Sequence, residues 1–405
     1  MTAPRGREVV HARRAVAGLF LLNAMAYANV VPRLPTIKTG LDLSNTALGT
    51  AVAAMPVGAL VAGLTAGRLI ARVGSARVAV ASAIGMGLVL QGFAQAQGWA
   101  GLAATFTVLG ALDSLMDVSM NAHALRVQRR FGRSIINSLH GLWSIGAVGG
   151  AAVGALSAAH GVTLRLHLAL AGASIGVAAA VLRRSLLTGP DEAVATDLAA
   201  GDPVAIRPAA ARRVLALLGL LVVLAATIED APQSWGAIFL RQELGASVAL
   251  GGLVFIAFQT SMTVGRLLGD RAVDRFGPIS VLRAGGALTA VAVGTALVVD
   301  EPAVVVAGFA LAGLGTAPLF PVVFHAAGEV PGVSTGHGVA TVAWLSRLGF
   351  LVAPPIVGTV GDAVSLRAGL VIVPAAGLLI AALAGAPTRR AHRDQATAQP
   401  YDRRS

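Results

Sequence analysis

The chain has no cysteine in its 405 residues. That excludes a disulfide framework and any thiolate metal site. Charge is scarce as well: 12% of residues are Asp, Glu, Lys or Arg, against about 25% in soluble domains. Only a protein solvated mostly by hydrocarbon does without so much charge. No Gly-x-x-x-x-Gly-Lys-Ser/Thr loop occurs, so nothing points to an ATP motor in this chain. No His-Glu-x-x-His or Cys/His spacing suggests a metal. No cofactor and no metal are expected. No polar stretch is long enough to form a catalytic domain, so the chain does not read as an enzyme.

What is present is a series of long apolar runs. The sequence is 56% hydrophobic, with mean hydropathy +0.76 and 49 glycines, a composition suited to helices packed closely in a membrane. A helix needs roughly 20 apolar residues to cross the hydrocarbon core. Twelve such runs fall at about 14–36, 46–68, 77–96, 99–124, 134–158, 163–182, 213–241, 247–269, 279–299, 302–325, 335–359 and 366–386. The expected fold is all-α and integral to the membrane. The first run has a basic start and Ala-x-Ala triplets at 24–28, but it continues apolar past them and is read as a retained span rather than a cleaved signal.

The net charge of +12 comes almost wholly from arginine, and the arginines fall in alternate connections. Arg5, Arg7, Arg13 and Arg14 precede the first run; Arg68, Arg72 and Arg77 lie between the second and third. Arg126, Arg129, Arg130 and Arg133 follow the fourth, and Arg271, Arg275 and Arg283 follow the eighth. The connections between these are neutral (Gln95–Trp99) or acidic (Asp300, Glu301). By the positive-inside rule both termini lie in the cytoplasm of a multi-pass protein of the cytoplasmic membrane. The same pattern explains the basic charge without nucleic acid. The expected partners are a small-molecule substrate, protons and the lipid bilayer, for a monomer.

Residues 184–212 break the pattern: they are polar and contain Pro190, Pro203 and Pro208. They read as a cytoplasmic linker between an N-terminal six-helix bundle (1–183) and a C-terminal one (213–388), with a cytoplasmic tail at 389–405. The halves share a landmark. GRLIARVG (67–74) follows the second run and DRAVDRFG (270–277) the eighth, starting 203 residues apart, about half the chain. A half-length repeat is common in transporters, with the substrate site between the halves near the bilayer midplane.

These loops resemble the Gly-x-x-x-Asp-Arg-x-Gly signature of the major facilitator superfamily. The first copy supplies Gly67, Arg72 and Gly74; the second supplies Asp270, Asp274, Arg275 and Gly277. Ala71 stands where the family usually has Asp. Within the superfamily, DVSMNAHALRVQRRFG (117–132), SLHGLWSIGAVGGA (138–151) and GFLVAPPIVG (349–358) look like the fucose-permease-type branch and its uncharacterised bacterial inner-membrane relatives. Drug/proton antiporters typically carry Gly-x-x-x-Gly-Pro-x-x-Gly-Gly in the fifth span. GLWSIGAVGG (141–150) keeps Gly141, Gly149 and Gly150 but has Ile145-Gly146 for Gly-Pro. The resemblance implies two pseudo-symmetric six-helix bundles that rock about a central site, and a sugar-like cargo. The loop chemistry stands beside it: glycine permits a tight turn, and a carboxylate at a helix end can latch onto donors of a neighbouring helix. With Ala71 in the first loop, its latch is expected to be weaker than that of Asp274 or to use another group.

Polar groups at membrane depth are the candidate site. At 1.5 Å per residue, Asp113 lies about 20 Å along the helix from either end of the fourth run. Asp117 and Asn121 follow at i+4 and i+8 on the same face. Each acid at helix centre costs about 2.5–3.5 kcal/mol, so this face should line a cavity or find partners. Two close carboxylates disfavour double ionisation, and a carboxyl group that loads and releases a proton is what a proton-coupled carrier needs. Asp113, Asp117 and His140 are the proton-coupling candidates. Asn137, His140 and Ser144 share a face of the fifth run. Asn23 and Tyr27 share one of the first, and Gln259 with Thr263 one of the eighth. In the seventh, TIEDAPQSW (227–235) is interrupted by Pro232, and Glu229, Asp230, Gln233 and Trp235 surround the break. That break reads as the outer half of a cavity and a gate, against the alternative that the span ends near Ala226. Arg347 is placed as the one basic residue at mid-depth, with Trp344 nearby. The substrate-contact candidates are Asn23, Tyr27, Asn121, Asn137, Glu229, Gln233, Gln259, Trp344 and Arg347.

The expected function is secondary active transport of a small polar solute by alternating access, coupled to protons. Drug or metabolite efflux on the same fold is the first alternative. A membrane sensor that does not transport is the second, kept open by Ala71.

Overall fold

In hydrocarbon, backbone N–H and C=O groups have no water to bond, so an apolar run must satisfy them within itself as a helix. A computed structural model describes residues 3–132, 135–189, 209–299, 301–333 and 335–386, and among these all regular structure is helical. Twelve helical segments are long and apolar enough to cross a membrane. They are Arg7–Gly40, Asn45–Val73, Ser75–Gln95, Trp99–Phe131, Ser138–Ala159, Leu164–Ser185, Ala211–Gln242, Leu250–Gly269, Pro278–Val298, Pro302–Gly328, His337–Ala363 and Leu366–Leu383.

Several helices outrun the apolar runs at their arginine-rich ends. The second continues to Val73, the fourth to Phe131 and the eighth helix to Phe276. Hydropathy marks where a helix touches lipid, whereas its hydrogen bonding continues into water, with long arginine side chains reaching outward. The seventh helix begins at Ala209, a turn before the expected start. Of the expected linker, 190–208 lie outside the described residues, as does the tail.

Packing repeats with an offset of six spans. The first span packs on the fifth and the seventh on the eleventh; the second on the fourth and the eighth on the tenth; the third on the sixth and the ninth on the twelfth. The result is two pseudo-symmetric six-helix bundles. The repeated loops match in backbone as well. Gly74 (φ 93°, ψ 142°) and Gly277 (φ 78°, ψ 153°) each end one helix and begin the next, a conformation that side chains beyond glycine rarely adopt. Small residues let helices approach within each bundle. A Cβ on Gly87 would lie 2.5 Å from the Gly172 carbonyl oxygen; one on Gly286 would lie 2.6 Å from that of Gly377. These are the third–sixth and ninth–twelfth seams, related by the repeat.

The bundles meet mainly through the second span on the eleventh and the fifth on the eighth. These contacts cluster on the side opposite the arginines. Gly358 abuts the carbonyl of Asn45, and Gly252 sits against Ala155 and Pro32. Across the same seam, the Asp362 carboxylate accepts the backbone N–H of Asn45 (2.8 Å) and of Thr46 (2.7 Å), the first residues of the second span's helix. A helix N-terminus with unsatisfied N–H groups is where a carboxylate bonds well. On the arginine side, Asp117 and His140 are exposed although both face groups of the other bundle. The arrangement is open towards the arginines and sealed opposite them.

Asp362→Ala is therefore expected to loosen the sealed side. The absence of native cysteine makes single-cysteine reporters clean. A cysteine at Ala59, on the cavity wall, should gain reactivity towards an impermeant maleimide added from the sealed side. The expected gain is about fivefold, as for an interaction of about 1 kcal/mol at an exposed helix terminus.

Candidate central cavity

The seventh span supplies much of the site, and its sequence explains how. Pro232 has no N–H to donate, so regular α-hydrogen bonding fails there. The chain does not stop near Ala226. The helix runs to Ala231, passes through a π-helical turn at Pro232–Gly236 and resumes at Ala237–Gln242. The wide turn keeps the backbone bonded in apolar surroundings and brings Glu229, Asp230 and Gln233 to one cavity. Trp235, from the same stretch, is fully buried instead.

That cavity has a volume of about 480 Å³ and lies between the bundles. Asn23, Tyr27, Asp113 and Trp143 line it from the first bundle. Glu229, Asp230, Gln233, Gln259, Arg266, Ser346 and Arg347 line it from the second. Phe255, Phe258, Met262 and Phe350 add an apolar wall.

On the first-bundle side a hydrogen-bond chain leads to Asp113. Trp143 Nε1 donates to Asn23 Oδ1 (2.7 Å), and Asn23 Nδ2 donates to Asp113 Oδ1 (2.8 Å). The indole N–H is a donor only, so it sets the orientation of the Asn23 amide and aims its NH2 at the carboxylate. Arg347 of the second bundle lies within electrostatic reach of Asp113 and Asp117. Asp117 accepts from Asn121 Nδ2 (3.0 Å) and sits towards the open side, one turn from the cavity wall. His140 packs edge-on to Phe20, ring centroids 5.2 Å apart, also outside the cavity lining.

On the second-bundle side, Arg266 Nη2 stands 3.5 Å from Glu229 Oε1. Ser234 donates to Asp230 Oδ1 (2.8 Å). Asp230 Oδ2 and Gln259 Nε2 are buried with no hydrogen-bond partner among the described residues. Buried polar atoms without partners are rare and costly, so these two are valences that a solute or water can fill.

Several placements differ from the sequence expectation. Arg347 is not the one basic residue at depth, because Arg266 joins it. The apolar run put Arg266 near the end of its span, but the helix continues ten residues further to Phe276. Trp344 is 54% exposed and off the helix face that carries Ala343, Ser346, Arg347 and Phe350 to the cavity. Asn121 bonds within its own helix rather than lining the cavity. Asn137 and Asp270 have described backbones only. Asp274 is exposed, with no ion pair or hydrogen bond to the described residues, and the neighbouring Arg275 lies over the Phe276 ring, 5.4 Å from its centroid. Trp143 was missed, although an indole N–H at membrane depth needs a partner and was a signal in the sequence.

Twelve spans in two matched bundles around a polar cavity define a membrane transporter. The chain belongs to the major facilitator superfamily: the model of that family, described as Major Facilitator Superfamily, matches residues 16–229 and 215–402. It is 27% identical over 378 residues to an uncharacterized transporter, y4wD, of Sinorhizobium fredii, covering 93% of this chain and 98% of that one. Among solved structures it is similar to a bacterial homologue of the human lysosomal transporter Spinster in an inward-facing, occupied conformation. The identity there is 14% and the TM-score 0.76, over 97% of this chain and 99% of that chain. It is also similar to a D-xylose–proton symporter, at 16% identity and TM-score 0.70, over 93% and 96% of the two chains. These two likenesses concern the fold.

Proposed function

We propose that this protein is a proton-coupled secondary active transporter of a small polar solute, working by alternating access in the cytoplasmic membrane with both termini in the cytoplasm. The observation that carries the reading is the pair of buried, unpartnered polar atoms on the cavity wall. Asp230 Oδ2 accepts and Gln259 Nε2 donates, the combination that a hydroxyl-bearing solute satisfies. Asp113, held by Asn23 at the opposite wall, is the proton carrier, with Asp117 and His140 on the route to the open side. Arg266 and Arg347 keep the cavity's carboxylates balanced. Asp362 on one face and the Asp274 loop on the other are the alternating latches. The fold's similarity to a D-xylose–proton symporter agrees with this cargo class.

Counterflow in proteoliposomes tests the proposal, using a panel of pentoses, hexoses, polyols and nucleosides with and without a pH gradient. At least one solute is expected to exchange, and its downhill entry to acidify the lumen. Exchange with no proton movement for any solute overturns the coupling. The wall of Phe255, Phe258, Met262 and Phe350 favours a second reading, efflux of a drug or metabolite with an apolar face. Exchange of ring-bearing hydrophobic solutes, with none for sugars or polyols, selects it.

A further inference from the structure

In the first bundle the first and fifth spans touch backbone to backbone. A Cβ on Gly146 would overlap the Leu21 carbonyl oxygen, and one on Gly150 would lie 2.8 Å from that of Met25. Ala24 and Ala28 pack with Ala147 and Ala151 in the same seam. Small residues let helix backbones approach, and backbone has no rotamer with which to give way. The seam places Trp143 beside Asn23. Asn23 is buried, and both ends of its amide are used: Oδ1 accepts from Trp143 Nε1 and Nδ2 donates to Asp113 Oδ1.

A primary amide has two orientations that fill the same space. Half a turn about its terminal bond exchanges the oxygen and the NH2. With NH2 towards Asp113 the amide suits an ionised carboxylate, which only accepts. With the oxygen there it suits a protonated carboxyl, which donates, and repels an ionised one. The indole N–H only donates. Beside Trp143 the amide therefore has one choice: oxygen to the indole, NH2 to the acid. A protonated Asp113 is denied the carbonyl that would serve it as acceptor. Without the indole N–H, Asp113 alone would decide which way the amide points.

We propose that Trp143 sets the proton affinity of Asp113 by locking the orientation of the Asn23 amide. This rests on the reading of Asp113 as the proton carrier and adds the group that tunes it. Trp143 acts through Asn23 and is a positioning residue. The other charges bearing on Asp113 are Asp117 on its own helix and Arg347 on the eleventh span. Tyr27, Glu229, Asp230 and Arg266 share its cavity, and His140 bears on Asp117. The second span meets the cavity with Val52, Met55, Pro56 and Ala59, none of them titratable. The third meets the neighbouring Leu112 through Gly85. Trp143→Phe alters none of these charges, so a shift that it causes comes from the amide.

The test is an infrared pH titration of the purified full-length chain in lipid bilayers, without solute. The Asp113 band is the protonated-carboxyl C=O stretch that Asp113→Asn removes. Trp143→Phe keeps the aromatic body and loses the N–H. In it Asp113 should be half-protonated at a pH about one unit higher than in the unaltered protein, a roughly tenfold gain in proton affinity. Asn23→Leu, which removes the amide, should move the midpoint the same way. With Asn23→Leu present, Trp143→Phe should add nothing, because a residue acting through Asn23 has nothing left to act on. Trp143→Leu serves if Trp143→Phe does not fold. The proposal is overturned by an unmoved or lowered midpoint in the tryptophan variant or in Asn23→Leu, by shifts that add in the double variant, or by an Asp113 carboxyl that does not titrate. A shift without proton-coupled exchange in the counterflow test keeps the lock and removes its transport role; coupled exchange without a shift removes the lock alone.

Discussion

Asp113→Asn is expected to abolish solute-driven proton movement while leaving solute exchange in place. The geometry separates the two effects. Asp113 Oδ1 accepts from Asn23 Nδ2, and an asparagine carbonyl at the same place accepts that bond equally. Trp143 continues to hold Asn23, so the wall keeps its shape and the variant should fold with nearly unchanged thermal stability. What disappears is a group that gains and loses a proton while facing the cavity. In proteoliposomes, acidification on downhill solute entry should fall to the level of protein-free vesicles, and counterflow should persist. Asp117→Asn is the comparison. Asp117 lies outside the cavity lining towards the open side, so its loss should slow proton movement rather than stop it. Full coupling in Asp113→Asn would remove the central part of the proposed mechanism.

The second large effect concerns two glycines one turn apart in the sixth span, whose replacements should differ in sign. Gly172 faces the third span, where an added Cβ would overlap the Gly87 carbonyl oxygen. Backbone has no rotamer to give way, so Gly172→Ala must push two helices apart. Overpacking of this kind costs about 1–3 kcal/mol. A Cβ on Gly176 meets nothing within 4 Å, and alanine is favoured over glycine in a helix by about 1 kcal/mol. Gly176→Ala should thus be neutral or stabilising. Thermal unfolding of both variants in one detergent checks this. A similar fall for both would mean that the loss comes from helix flexibility rather than from the seam. The repeat extends the prediction: Gly286→Ala, 2.6 Å from the Gly377 oxygen, should behave like Gly172→Ala.

How far the site could be read in the sequence depended on what each residue's signal measures. Asp113, Glu229 and Gln233 were conspicuous because a polar group in an apolar run is expensive wherever it points, and the cost itself demands a cavity or partner. Arg266 looked peripheral because hydropathy sees lipid contact and not helix length. Trp344 looked central because spacing along one helix gives relative angles between residues but no absolute direction. The pairing of Asn23 with both Trp143 and Asp113 joins residues 120 and 90 apart in sequence, and no local pattern reports such a meeting.

The sequence by itself determined the twelve helices, their alternation and the half-length repeat. Each of these follows from one segment's exchange with lipid or water, a local quantity summed along the chain. Only the tertiary structure decided on which side the two bundles are sealed, that Asp362 caps the second span's helix, and that Asn23 joins Trp143 to Asp113. Those outcomes depend on the relative rotation of whole helices. Rotation is set by side chains interlocking across seams where glycine admits backbone contact, and that interlocking belongs to pairs of helices rather than to any single stretch of sequence.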